Sequence, residues 1–447
     1  MPSLTDRTPL VVTALAVAVS FFGCAVTPAD IEHWERTQKG PGKIVAVLLS
    51  DDYPTDLRVA AAVALVDMER NDVEGIEQLG LAIDRLAEED PAAVIAIVDG
   101  TTPELVRILG ENVTPQAGAP ASAPPSLQIR AKDAAFRLSQ RGSDASKAHL
   151  GRAILDWFAV DYARRAMAGR VSAEQAAELF GDAGAQMLVS AMHERMPKEM
   201  LPRIVERAVE LGSASTKAAA AERIIAVERA MESAEFLVWL ESQIHTALSR
   251  DGAEPDPARV TGTAMLNRER FINDGALPAM RFLADQRAVA DRLLEIAASN
   301  APAGYEGEVL EAFEIRRARA LSALEGKAKP EHVARLLPLA LGTDVPVGVR
   351  DLAFNRLADA GSVEAIAPMW PLVQAVAAPD ASREETARVR LVRMKAGELV
   401  LRLGRADTVT ELLRRLPRGN AAAFEPDELI VYAHRAAEMD APPTAEL

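Results

Sequence analysis

The side chains that could do chemistry in this sequence are few and far apart. Its only cysteine, Cys24, lies in the stretch SFFGCAVTP from Ser20 to Pro28. One thiol forms no internal disulfide and falls short of a zinc site of the CxxC type, which needs several thiolates. The six histidines, His33, His149, His193, His245, His332 and His434, are at least 44 residues apart. No helix therefore carries the paired histidines of HExxH, and His193-Glu194 lacks its second histidine. Gly40-Pro41-Gly42-Lys43 has the end of a phosphate loop, but Thr37 stands where the first glycine belongs and Ile44 replaces the Ser or Thr. It reads as a helix start. There is no GxGxxG and no GxSxG, and Glu88-Glu89-Asp90 reads as a solvated turn. Nothing calls for a metal or a cofactor. Carboxylates assembled in space from distant segments leave no motif, so an enzyme, or an accessory subunit of one, stays open as an alternative.

The surroundings of Cys24 say more than the thiol itself. Arg7 supplies a positive charge, Pro9 to Phe22 is an uncharged run of 14 residues, and the small Gly23 immediately precedes the cysteine. That is the order of a secretory signal. The run is shorter than the roughly 20 residues a helix needs to cross a bilayer core, so a cleaved segment is expected over a permanent span. The pair Gly23-Cys24 resembles the end of a bacterial lipoprotein signal, whose cysteine becomes lipidated; Phe21 and Phe22 depart from the usual leucine and small residue before it. The resemblance implies a signal peptide over 1–23 and a lipid anchor on Cys24. Ala25, in place of Asp, implies the outer membrane by similarity to the sorting rule of some Gram-negative lipoproteins. The other reading is an ordinary secretory cut that leaves an unmodified periplasmic or secreted chain.

The net charge of −15 disfavours nucleic acid and anionic lipid, both of which are held by Lys and Arg. The membrane, on this reading, is reached through the N-terminal anchor.

The elements that must position any site are helical. The chain is 49% hydrophobic and only 4% aromatic, dominated by Ala, Leu, Arg and Glu, all good helix formers. Between Pro54 and Arg70, Leu57, Ala61, Ala64, Leu65 and Met68 fall at helical intervals, with Pro54 expected in the first turn; Ile76, Leu79, Ile83 and Leu86 repeat the pattern. Ser172 to Gln175 resembles a capping box ahead of a helix over 176–193. The fold class expected is all-α.

Two distant segments match each other. Asp52 to Leu65 and Asp344 to Leu357 both read DxPxx[LV]RxxAxxxL, each between two apolar helical stretches, and partial copies occur at Arg223/Ala226, Arg317/Ala320/Leu324 and Arg393/Ala396/Val400. These residues resemble HEAT-like repeats, the armadillo-type α-solenoids of stacked helix pairs, with an irregular helical middle section here. The resemblance implies a polar ladder of turn Asp and helix Arg: Asp52 with Arg58, Asp344 with Arg350, and Glu311 with Arg317 by charge. Lys217 and Ala387 occupy the acidic position before Arg223 and Arg393. These arginines are expected to be scaffold, since a guanidinium beside a helix start can span to a carboxylate and to backbone carbonyls.

The resulting division is a signal over 1–23, N-terminal repeats over 24–110, a Pro/Ala-rich linker over 111–126, a middle helical region over 127–250, a loop over 251–265, C-terminal repeats over 266–440 and a frayed tail over 441–447. A solenoid implies an extended surface that binds a protein or peptide partner, here one in the cell envelope. The expected outward-facing polar residues of that surface are Asp67, Glu69, Arg356, Asp359, Lys395 and Glu398.

Overall fold

The computed structural model describes residues 26–68, 75–111, 124–249 and 254–415, with Ile430, Tyr432 and His434. The chain is all-α, and no strand occurs among the described residues. It divides into two compact units, Met1–Gly151 and Arg152–Leu447. The division falls inside the continuous helix Asp144–Val160 rather than in the Pro/Ala-rich stretch, so helix Ser126–Leu138, expected at the head of a middle region, belongs to the first unit.

At the centre of the first unit, helix Thr55–Asp67 touches Gly40–Leu49, Gly75–Glu89, Pro91–Gly110 and Ser126–Leu138. Its sequence explains the position: small Ala61, Ala62 and Ala64 let neighbours close in, while Leu57, Leu65 and Val66 fill the space between. A helix covered on several sides needs no single apolar stripe. The Gly40-Pro41-Gly42-Lys43 stretch is the first turn of its helix, with Pro near the start, where its missing N–H costs nothing. A Cβ on Gly40 would stand 1.7 Å from the carbonyl oxygen of Trp34. Glycine there is a packing requirement.

The second unit is built from neighbouring helix pairs: Asp182–Ala191 with Met200–Leu211, Ala234–Leu248 with Pro257–Phe271, Arg287–Ala298 with Gly307–Ala323, and Val333–Leu341 with Val347–Ala360. Second helices touch in succession, Pro257–Phe271 on Gly307–Ala323, that on Val347–Ala360, and that on Arg383–Leu403. Local sequence sets the ends. Ser172 and Gln175 form the reciprocal capping box of helix Ala173–Phe180, and Pro54 and Pro346 take the same N-cap position, at φ −64°, ψ 154° and φ −53°, ψ 142°. Proline thus precedes both helices by one residue instead of sitting within the first turn. Helix Pro257–Phe271 runs into a π-turn, Ile272–Ala276, before Leu277–Arg281.

Candidate functional site

The two full copies of the repeated pattern have the same environment position by position. Leu57 and Val349, Ala61 and Ala353, and Leu65 and Leu357 are all buried. Between them, Arg58 and Arg350 are buried too, and their partners differ from the expected ladder. Arg58 Nε donates to the carbonyl oxygen of Leu48 at 3.0 Å, while Asp52 is exposed and shares its carboxylate with the Ser50 hydroxyl. Arg350 Nη2 donates to the carbonyls of Gly342 at 2.5 Å and Thr343 at 3.0 Å. Asp344 accepts from Thr343 Oγ1. The physical reason is that the last four carbonyls of a helix have no partner of their own helix, and a guanidinium reaching back from the next helix start satisfies them.

The partial copies extend this rule and limit it. Arg317 Nε reaches the Ala297 carbonyl at 2.9 Å, and Arg393 Nη1 reaches that of Ala375 at 3.1 Å. Glu311 is exposed on the same helix as Arg317, six residues before it, so the two point to different sides and form no pair. Arg223 Nε holds the Met192 carbonyl at 2.8 Å, but Ala226 is exposed; the core positions there are Ile224 and Val227.

Of the residues expected on the partner surface, Arg356 is buried and Asp67, Asp359, Lys395 and Glu398 are half-buried. Arg356 is buried and faces Asp359 at 3.1 Å. Asp359 also accepts from Arg402 and from the Gly326 N–H, both at 3.1 Å. Asp67 is half-buried, and burial followed by the charge of Glu104 pushes its carboxyl up. Lys395 pairs with Asp351 at 3.1 Å and with Glu398 at 3.7 Å, leaving Glu398 the most exposed of the group. Helical periodicity places these residues off the apolar positions, and neighbouring helices cover them in part. Glu69 and Cys24 lie outside the described residues.

The densest convergence of ionisable groups is one that sequence reasoning missed. On helix Ala214–Met231, Glu228 is fully buried and receives Arg292 Nε at 2.8 Å, Arg292 Nη2 at 3.2 Å and Arg316 Nη2 at 3.0 Å. Glu232, one turn on, is shared by the same two guanidiniums, with Arg292 Nη2 at 2.5 Å and Arg316 Nη2 also bonded. Glu269, fully buried at the end of helix Pro257–Phe271, accepts from the Tyr305 hydroxyl at 2.9 Å, and its Oε2 lies 3.8 Å from Arg316 Nη1. Arg268 closes the circle by donating to Tyr305.

Burial pushes the Glu228 carboxyl up against the pull of Arg292 and Arg316, and it does the same to Glu269 against Arg316 and Tyr305. Glu232 is half-exposed; burial pushes its carboxyl up, but Arg316 and Arg292 outweigh that and hold it below the ordinary range. Glu228 and Glu269 expose no surface, so neither touches anything a substrate could present. The cluster ties four helices together by charge, Ala214–Met231, Pro257–Phe271, Arg287–Ala298 and Gly307–Ala323. A local hint exists: Glu228 falls on the stripe of Ile224, Val227 and Met231, where an apolar residue is due.

Among the described residues, no group of three or more His, Cys, Asp or Glu is arranged to hold a metal. The nearby Asp274 is a second crossing point, taking Lys198 at 2.7 Å and Arg319 at 2.6 Å on the π-turn.

No protein-family model matches the chain. No curated protein matches it. Among solved structures, it is similar to the crystal structure of an engineered protein at 16% identity, over 92% of this chain and 98% of that one, with a TM-score of 0.24. A superposition that loose establishes no shared fold.

Proposed function

We propose that this chain is a lipid-anchored protein of the bacterial envelope that works as a non-catalytic adaptor, binding a protein or peptide partner through a HEAT-like helical surface. The observation that carries the reading is the use made of its charged side chains. Arg58, Arg317, Arg350 and Arg393 go to carbonyls at the ends of neighbouring helices, and Glu228 and Glu269 are sealed among guanidiniums. Side chains spent on holding helices together build a scaffold; a catalyst needs groups that a substrate can reach. The succession of second helices, each against the next, supports a stacked repeat array.

The tether rests on the uncharged run that ends in Gly23-Cys24. The first helix, Pro28–Trp34, opens on a capping box of Thr27 and Asp30. No helix of the described residues is long and apolar enough to cross a membrane.

Crosslinking in the native cell tests the reading. The wild type is expected to capture a defined envelope protein, and Cys24→Ser to lose acyl labelling and move from the membrane to the soluble fraction. Capture of no protein partner would overturn the adaptor; an exported wild type without an acyl group would overturn the tether.

A further inference from the structure

Of the histidines among the described residues, His332 alone is buried, at 2% exposure. It ends the short 3₁₀ turn Pro330–His332 that leads into helix Val333–Leu341, and its Nδ1 accepts the backbone N–H of Lys329 at 3.1 Å. A backbone nitrogen only donates, so Nδ1 carries no proton and the ring proton sits on Nε2. The imidazole is therefore neutral in this fold. It stands at the third position of its turn, where Glu or Gln would complete a capping box by accepting the same kind of N–H.

That contact closes the connection between helix Gly307–Ala323 and helix Val333–Leu341. The connection is otherwise pinned by Gly326, which at φ +67° donates its N–H to Asp359 at 3.1 Å, and by Lys329 Nζ, which reaches the Asp285 carbonyl at 3.4 Å. A proton on Nδ1 reverses the contact at Lys329. Donor then faces donor, and the Lys329 N–H loses its acceptor. The surrounding charges do not compensate. From the packed helix Arg287–Ala298, Asp291 faces the ring but is already taken by Arg335 at 2.8 Å and Arg287 at 3.7 Å. In the turn itself Glu331 and Lys329 are both exposed and opposite in sign. Burial, with Lys329 and Arg335, outweighs Glu331 and Asp291 and pulls the imidazole below its ordinary 6.5.

We propose that His332 is an acid-release latch: neutral, it holds the turn shut through the Lys329 N–H, and on taking up a proton it swings out and opens the start of helix Val333–Leu341. The latch holds above the ordinary imidazole value and is lost as pH falls through the lower value of the closed turn, because the open turn binds the proton more readily. The proposal goes beyond the adaptor reading and does not depend on it.

Hydrogen–deuterium exchange of the purified full-length protein, read on peptides spanning 324–334 and corrected for the intrinsic pH dependence of exchange, tests the latch. Between about pH 7.5 and pH 5 the opening of this segment in the wild type should rise about tenfold. His332→Gln keeps an acceptor that does not titrate, so its opening should stay flat over the same range. A flat wild type, or an equal rise in His332→Gln, would overturn the proposal. Titration of the imidazole Cε1–H signals by NMR is a second measurement that needs no variant: one of the six histidines should titrate below the ordinary range, and six ordinary titrations would also overturn it.

Discussion

Arg292 grips the carboxylate of Glu228 with two donors, Nε to Oε2 at 2.8 Å and Nη2 to Oε1 at 3.2 Å, across 64 residues of chain. Breaking a buried pair on one side costs roughly 3–5 kcal/mol, because the remaining charge is left without its partner. Arg292→Met should therefore lower the urea midpoint markedly. The joint replacement with Glu228→Leu should cost less than the sum of the single changes, since Arg316 keeps Glu232. Strict additivity across this double-mutant cycle would show that the contact carries no coupling.

Arg58→Ala and Arg350→Ala should each destabilise by roughly 1–3 kcal/mol, as the carbonyls of Leu48 and Gly342 lose a charged donor. Lysine should rescue poorly, because a flexible point donor does not reproduce the planar fork. Amide hydrogen exchange gives a second readout: protection should fall first in the last turns of helices Gly40–Leu49 and Val333–Leu341.

Asp182 opens helix Asp182–Ala191, and its Oδ1 accepts from the Ser213 N–H and the Thr216 hydroxyl, both at 2.7 Å. The Ser213 backbone bond and then the Thr216 hydroxyl bring its carboxyl from the ordinary 3.8 down to about 2. A carboxyl depressed in the folded state stabilises fully above its unfolded value, and that contribution is lost as pH falls through the folded one. Melting temperature should drop between about pH 4 and pH 2 in the wild type. Asp182→Asn should flatten that part of the profile while lowering the plateau above it. An unchanged slope would count against the assignment.

Two glycines should respond in opposite directions. A Cβ on Gly184 would lie 2.3 Å from both Cα and O of Ala177, and backbone cannot move aside cheaply. Gly184→Ala should cost roughly 1–3 kcal/mol. Gly262, within helix Pro257–Phe271, has nothing within 4 Å of the added Cβ. Gly262→Ala should stabilise by about 0.5–1 kcal/mol, because the unfolded chain loses freedom. Thermal melts of the two variants check both.

What could be read from sequence was local. The all-α class follows from composition and period, and the capping box at Ser172 and Gln175 needs only neighbours three residues apart. The burial of Leu57, Ala61 and Leu65 and of their counterparts Val349, Ala353 and Leu357 was equally visible, since a helix fixes which positions share a face. Which of the two partners, carboxylate or backbone carbonyl, each arginine takes was not. Opposite charge suggested Asp52, but the unpaired carbonyls at a helix end lie closer and carry no side-chain signature. Glu228 and Arg316 are 88 residues apart, and no pattern of spacing announces such a meeting. The boundary near Gly151 was hidden for a different reason. It lies within an unbroken helix, where Gly151 is helical like its neighbours, so neither a turn, a proline nor a change of composition marks it.

A guanidinium that holds backbone instead of a carboxylate changes what this chain can tolerate over time. Every residue type presents the same carbonyl, so the helix ends that receive Arg58, Arg317 and Arg393 can drift in sequence without loosening the grip. Length is another matter. One residue inserted or deleted within a helix turns everything beyond it by about 100° and carries its end carbonyls out of reach. Such a packing of helices erodes in letters while keeping its metre, and its kinship to other proteins is better sought in the spacing of helices and arginines than in residue identity.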